Sequence, residues 1–303
     1  MHNIAKYDIT LHDELSLARM GLHATKRAHF DELRDKYEKV FAAYDDKAQD
    51  GILHELTPLW VQYEADEETE KVEKKRMSEN SYNLYSSGMK YVRTHIRKLK
   101  EINGGDAIIC PLCGIKLYND VDHYVPRELM PEYAVHLSNL IPLCHDCNIN
   151  KHTGWLNDEG TSRLFFNAFY DAMPVVDILT CEILLDDVSQ YPMVRVDINT
   201  AQLDETRYPD NIVLSTLNKL HLIDVYQYET KQLLKKEIQN LIDHYEERHS
   251  INAEVCRRDV VKEQKSVCLR HLNAANTYTF LEKIFFRAFG QSEVIEDWFA
   301  NIQ

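Results

Sequence analysis

Two Cys-x-x-Cys pairs, Cys110/Cys113 and Cys144/Cys147, are separated by thirty residues. Four thiolates at this spacing suit one tetrahedral zinc ion with Zn–S distances of ~2.3 Å, a structural site that staples a segment too small to close on its own core. A redox role fits less well, since one pair would suffice and neither is introduced by a thioredoxin-like strand and helix. The remaining cysteines, Cys181, Cys256 and Cys268, are scattered and read as buried small hydrophobes.

The loop between the pairs, and the residues just beyond it, carry three further motifs. They are Val121-Asp122-His123-Tyr124-Val125-Pro126, then Asn139-Leu140-Ile141-Pro142-Leu143-Cys144, then Cys147-Asn148-Ile149-Asn150-Lys151-His152. Together with the paired cysteines this arrangement resembles the HNH, or ββα-metal, nuclease family, whose Asp-His-x-x-Pro, Asn-Leu-x-x-Leu-Cys and Cys-Asn-x-x-Lys signatures occur here in the family's order. The resemblance implies a β-hairpin carrying Asp122 and His123, a connecting loop with Asn139, and a short helix bearing Asn148, Lys151 and His152. It also implies roles: His123 as general base, Asn139 holding the His123 loop by hydrogen bonds, and Lys151 contacting phosphate. Asp122, Asn148 and His152 would be ligands of a catalytic divalent ion. The last position of the name-giving pattern, often His, is Asn148, as in HNN-type relatives. His152 matches a second metal-ligand histidine of some members, so the number of ligands stays open.

The chemistry of these residues can be argued directly. A phosphodiester repels nucleophiles by its own charge, so hydrolysis calls for a divalent ion that polarises the phosphate and stabilises the leaving oxygen. Asp122 and Asn148 offer the hard oxygen ligands that Mg²⁺ or Mn²⁺ accepts. Histidine, with an unperturbed pKa of ~6.5, suits deprotonation of water near neutrality. On a regular strand His123 and Asp122 would face opposite sides, so a twist, a bulge or backbone participation is needed to aim both at one phosphate. Without their context the two would read as a solvated strand end. Tyr124 and Trp155 are expected to pack the motif, His145 to be exposed and His136 to lie in a loop.

These residues need elements to position them. From Asp13 to Tyr44, Phe30, Leu33, Tyr37, Val40, Phe41 and Tyr44 recur at helical spacing and predict an amphipathic helix. The charged stretch Glu64 to Arg76 reads as a solvated helix face or a connection. Met89, Val92, Ile96 and Leu99 form an apolar stripe, with Lys90, Arg93, Arg97 and Lys100 on a basic one, and Asn103-Gly104-Gly105 ends that helix. The basic stripe either steers phosphate toward the motif or is an ordinary solvated helix face. Val175 to Leu185 and the alternation of Val194, Val196 and Ile198 predict strands. Beyond Asp210 a long helix through Leu220, Ile223, Leu233, Leu234, Ile238, Leu241 and Ile242 is expected, then an aromatic-rich helix from Phe280 to Phe299. The expected fold is α+β and predominantly helical, with the metal motif embedded. Its regions are a helical one over 1–100, the HNH and zinc motif over 101–160, and strands and helices over 161–303.

The bulk properties bound the partners. A hydrophobic fraction of 44% with 28% charged residues is ordinary globular composition, and no apolar run approaches the ~20 residues that span a bilayer. No secretory signal opens the chain, and seven cysteines are an odd set, so a reducing cytoplasmic compartment is expected. A net charge of −14 argues against a general nucleic-acid coat, so any contact with DNA or RNA is expected to be local, and it is also compatible with a solvated surface that has no charged partner. Three functions remain open: a metal-dependent DNA endonuclease, an RNA-directed nuclease, for example on transfer RNA, and a zinc-stabilised binding module without activity. The helices before the zinc loop, residues Leu164 to Asp171, the strands, and residues Ser215 to Leu222 are similar to bacterial HNH proteins encoded beside ATPases in antiphage systems of the Septu or retron type. The chain has no Gly-x-x-x-x-Gly-Lys-Ser/Thr phosphate loop, so any nucleotide dependence would come from an ATPase partner.

Overall fold

A computed structural model describes residues 1–22, 24–58, 66–69, 71–72, 74–76, 79, 89–105, 107–172, 178–202, 211–273 and 279–302. The protein is mostly helical with two small two-stranded antiparallel sheets. It divides into two compact units, Met1–Met173 with Glu205–Leu220, and Pro174–Asp204 with His221–Gln303. Among the described residues no helix is long and apolar enough to cross a membrane.

In the first unit, α1 (Leu11–Met20) starts where the Thr10 side chain accepts from the Asp13 amide, and its first turn carries Asp13 and Glu14, which the helix dipole favours. The amide of Gly21 bonds back to Ala18 and Arg19 and closes the helix. The single helix expected from Asp13 to Tyr44 is therefore two, with α2 (Ala24–Gln49) following the turn. Apolar periodicity survives such a break because both segments bury the same kind of face. Phe30, Leu33, Tyr37, Val40, Phe41 and Tyr44 are all buried, each stabilising the fold by roughly 1.5 to 3 kcal/mol if fully exposed when unfolded.

Helix α3 (Met89–Ile102) buries Tyr91, His95, Ile96 and Leu99. His95, a polar letter in the pattern, belongs to this face because its ring nitrogens meet Tyr7 Oη at 2.9 Å and the Leu140 carbonyl at 3.1 Å. On the basic stripe Arg93 and Arg97 are exposed and Arg97 pairs with Glu101, while Lys100 lies over the Tyr118 ring. Asn103 ends the helix by donating to the Leu99 carbonyl, and Gly104 follows at φ +79°. Part of the stretch Glu64 to Arg76 lies outside the described residues; Lys71 and Glu67 within it form an exposed pair.

Then come β1 (Asp120–His123), β2 (Leu140–Leu143) and α4 (His145–Lys151). The strands pair antiparallel, Asp120 opposite Leu143 and His123 opposite Leu140. Helix α5 (Ile212–Lys219) completes the unit, with Thr216 Oγ1 accepting from the Phe166 amide at 2.8 Å.

The second unit pairs β3 (Leu179–Leu185) with β4 (Pro192–Ile198), where Val194 and Val196 are buried and Arg195 is exposed. Residues 175–177 of the expected strand lie outside the described residues. Around this hairpin are α6 (Leu222–Ile251), α7 (Arg257–Asn273), α8 (Phe280–Gln291) and α9 (Glu293–Asn301). Ile183, Val194, Leu234, Ile238, Leu241, Val260, Phe285, Phe289, Ile295 and Phe299 form the core. The long helix expected through Leu220 begins only at Leu222, because His221 takes a left-handed conformation at φ +52°. The aromatic segment is two helices, since the Ser292 side chain accepts from the Ile295 amide and starts α9. Of the three scattered cysteines, Cys268 is buried and Cys181 half-buried, but Cys256 is exposed, at the start of α7 where the helix face turns to solvent.

Candidate active site

The four cysteines come together at the base of the hairpin. Their Sγ atoms all lie within 4.8 Å of one another and all four residues are buried. Cys110 and Cys113 flank a turn closed by the Gly114 amide on the Cys110 carbonyl, with Gly114 at φ +71°, while Cys144 caps the N-terminus of α4 and Cys147 sits in its first turn. Hydrogen bonding among the four thiols holds Cys113 and Cys144 below the usual range and pushes Cys110 and Cys147 above it, and metal binding calls for the thiolate form. A buried set of four sulfurs this close could hold a zinc ion.

Above the cluster the hairpin and α4 face each other through two polar rungs. Period two on a strand puts Asp120 and Asp122 on one face, and spacing of three on a helix puts Asn148 and Lys151 on one face. Asn148 Nδ2 donates to Asp120 Oδ2 at 3.2 Å, and His145 Nδ1 lies 2.8 Å from the same oxygen. That bond fixes the orientation of the Asn148 amide through its Nδ2. Lys151 Nζ lies 2.8 Å from Asp122 Oδ2 and donates to the His123 carbonyl at 3.0 Å. The ammonium that the resemblance assigns to phosphate is thus 2% exposed and directed at two neighbours within the motif.

Asp122 Oδ2 is buried and, beyond this ionic contact, has no hydrogen-bond partner among the described residues. Burial pushes the Asp122 pKa up, with Lys151 pulling against it. The Asp122 carboxylate lines one cavity with Asn148 and His152, and its oxygens are of the hard kind that a divalent ion accepts, so these residues fit such an ion.

His123 is the last residue of the ladder, where the pleat no longer dictates the side it faces. Its Nε2 lies 2.9 Å from the Ala134 carbonyl. A carbonyl only accepts, so Nε2 carries the proton and Nδ1 holds the lone pair. Burial pushes the His123 pKa down to about 4, against the Ala134 carbonyl, so the ring is uncharged at neutrality. Asn139, fully buried, fixes this region: it donates to the Val125 and Tyr133 carbonyls and accepts from the Val125 amide and Tyr44 Oη. His152 caps α4 at φ +47°, a conformation rare for a side chain other than glycine.

Asp122, His123, Asn148 and His152 line one cavity of about 340 Å³, with Val121, Pro126, Arg127, Glu128, Ile149 and Thr153. Asn139 and Lys151 support it from behind. Sequence reasoning missed Arg127 and Glu128 on its wall, and Asp120 and the Ala134 carbonyl as orienting groups. The two-residue spacing of Asp120 and Asp122 was the available signal for Asp120; a backbone carbonyl leaves none. Tyr124 and Trp155 are buried in the motif, His145 is exposed, and His136 is a loop residue but fully buried.

The structure thus sets a buried four-cysteine cluster, a hairpin and a short helix beside this cavity, and residues 110–154 match the family model of the HNH endonuclease. This stretch is an HNH endonuclease domain with a four-cysteine cluster. Among characterised proteins, protein ea31 of Escherichia phage lambda is 42% identical over 43 residues. That match covers 14% of this chain and 14% of the phage protein. No solved structure matches.

Proposed function

We propose that the protein is a metal-dependent endonuclease that hydrolyses phosphodiester bonds of DNA, leaving 5′-phosphate and 3′-hydroxyl ends. The observation that carries this reading is the single cavity onto which Asp122, His123, Asn148 and His152 converge. Asp122, Asn148 Oδ1 and His152 would hold Mg²⁺ or Mn²⁺, which supplies polarisation of the phosphate and stabilisation of the leaving oxygen. His123 takes the proton of the attacking water at Nδ1, while Ala134 keeps the ring in the tautomer that can accept it. Asn139 ties the strand exit to the loop that supplies that carbonyl. Lys151 keeps Asp122 ionised by charge proximity. The four cysteines would hold a structural zinc that sets the hairpin against α4.

The similarity of the flanking segments to HNH subunits of Septu or retron type supports a role as a cytoplasmic effector of bacterial antiphage defence, controlled by an ATPase partner. Incubating the purified protein with plasmid, linear duplex, single-stranded DNA and transfer RNA, with and without Mg²⁺ or Mn²⁺, tests the activity. Metal-dependent cuts in DNA are expected; cutting confined to transfer RNA moves the substrate to RNA, and no cutting of any polymer leaves only a binding module.

A further inference from the structure

The cavity at the nuclease motif is poor in positive charge. Its lining sets Arg127 and His152 beside Asp122 and Glu128, with Arg127 paired to Glu128, and Lys151 is directed inward at Asp122. On a chain of net charge −14, such a site needs cations elsewhere to hold a polyanion, because phosphate affinity is mostly electrostatic. On α3 Arg93 and Arg97 are exposed, and Arg97 is matched by Glu101.

The second unit holds a different kind of surface. Helices α7 and α8 approach closely where Gly290 meets Leu269; a Cβ there would stand 2.6 Å from Leu269 Cγ. Two grooves of about 360 and 270 Å³ adjoin at Leu269. Lys262, Lys265 and Arg270 line one, Lys283 and Arg287 the other, and no carboxylate lines either among the described residues. Glu296 of α9 lies 3.3 Å from Lys265 and 3.8 Å from Lys262 and compensates part of that end. Arg270 and Arg287 are exposed. The floor, Leu269 and Leu272, is apolar.

We propose that these adjoining grooves between α7 and α8 bind the sugar-phosphate backbone of the nucleic-acid substrate, the inference resting on the nuclease reading. Cations along the rim neutralise successive phosphates, and the leucine floor accepts the sugars. Such contacts position a polymer without reading its sequence.

The test compares full-length His123→Ala protein, which holds substrate without cutting it, with the same protein carrying Lys283→Glu and Arg287→Glu. Fluorescence anisotropy with labelled duplex, single-stranded DNA and RNA oligonucleotides is followed across a salt series. The charge reversals are expected to weaken binding by roughly tenfold or more and to make the log–log salt slope shallower, with helix content and zinc unchanged. Lys283→Gln with Arg287→Gln, a milder change should the reversals disturb folding, is expected to lie between. Bound duplex should also protect Lys262 and Lys283 from acetylation. Equal affinity and slope in all variants overturns the proposal and leaves the nuclease reading to stand on cleavage. Binding of poly-glutamate but not nucleic acid also overturns it, in favour of an acidic protein partner. If the wild type neither binds nor cuts any polymer, the nuclease reading fails and takes this one with it.

Discussion

A carboxylate and an ammonium buried 2.8 Å apart, Asp122 and Lys151, make a pair in which each depends on the other. Taking two charges out of water is costly, and removing one partner of such a pair destabilises by about 3 to 5 kcal/mol. Lys151→Ala is therefore expected to lower stability in urea unfolding by about that much, since Asp122 would be left buried without its counter-charge. A Lys151→Ala protein of wild-type stability, altered only in the salt dependence of nucleic-acid binding, would return this lysine to the phosphate. Asp122→Ala should weaken metal affinity while excess Mn²⁺ restores part of the activity. Full activity of Asp122→Ala at low metal would remove Asp122 from the ligand set.

At the scale of elements, the cysteine cluster brings the Cys110–Cys113 turn against the start of α4. Elemental analysis should find one tightly held zinc, and Cys110→Ser or Cys144→Ser should yield poorly folded protein, whereas the exposed Cys256→Ser should not. Metal-free protein of unchanged thermal stability would contradict this. The loop that supplies the Ala134 carbonyl is held from the other side by charge. His136, fully buried, lies 2.9 Å from Glu14 of α1 and 3.1 Å from Asp45 of α2. Burial pushes its pKa down, but the two carboxylates outweigh burial and hold it up at about 9. A raised pKa favours the protonated folded state, so this stabilisation is complete below the ordinary imidazole value of 6.5 and is lost as pH rises through about 9. Melting temperatures across that window should fall in the wild type and change less in His136→Phe; equal slopes would exclude the imidazolium. The zinc motif was legible because thiols at fixed spacing have few other uses, and the helical core faces because Phe30 to Tyr44 repeat at 3.6. The breaks at Gly21 and Ser292 were not, since a cap interrupts a helix without interrupting its apolar period. The buried placement of His95, His136 and Lys151 was not either, because a polar letter reveals its partner only once the chain is folded.

Across the whole molecule, an acidic chain with cations gathered between α7 and α8 suits an enzyme whose access to nucleic acid is restricted. An active nuclease endangers its host, which motivates the proposed ATPase partner. Affinity purification from the native host should recover such a subunit; recovery of this chain alone, fully active unassisted, would contradict it. The central claim is that His123 is the base of a metal-dependent phosphodiesterase. The most direct measurement is the cleavage rate of plasmid DNA by wild type and His123→Ala in Mn²⁺, with metal and DNA binding measured on the same preparations. The account predicts that His123→Ala binds both normally and cuts about 10²- to 10⁴-fold more slowly, with no rescue by added metal. Cleavage by His123→Ala at the wild-type rate would contradict it.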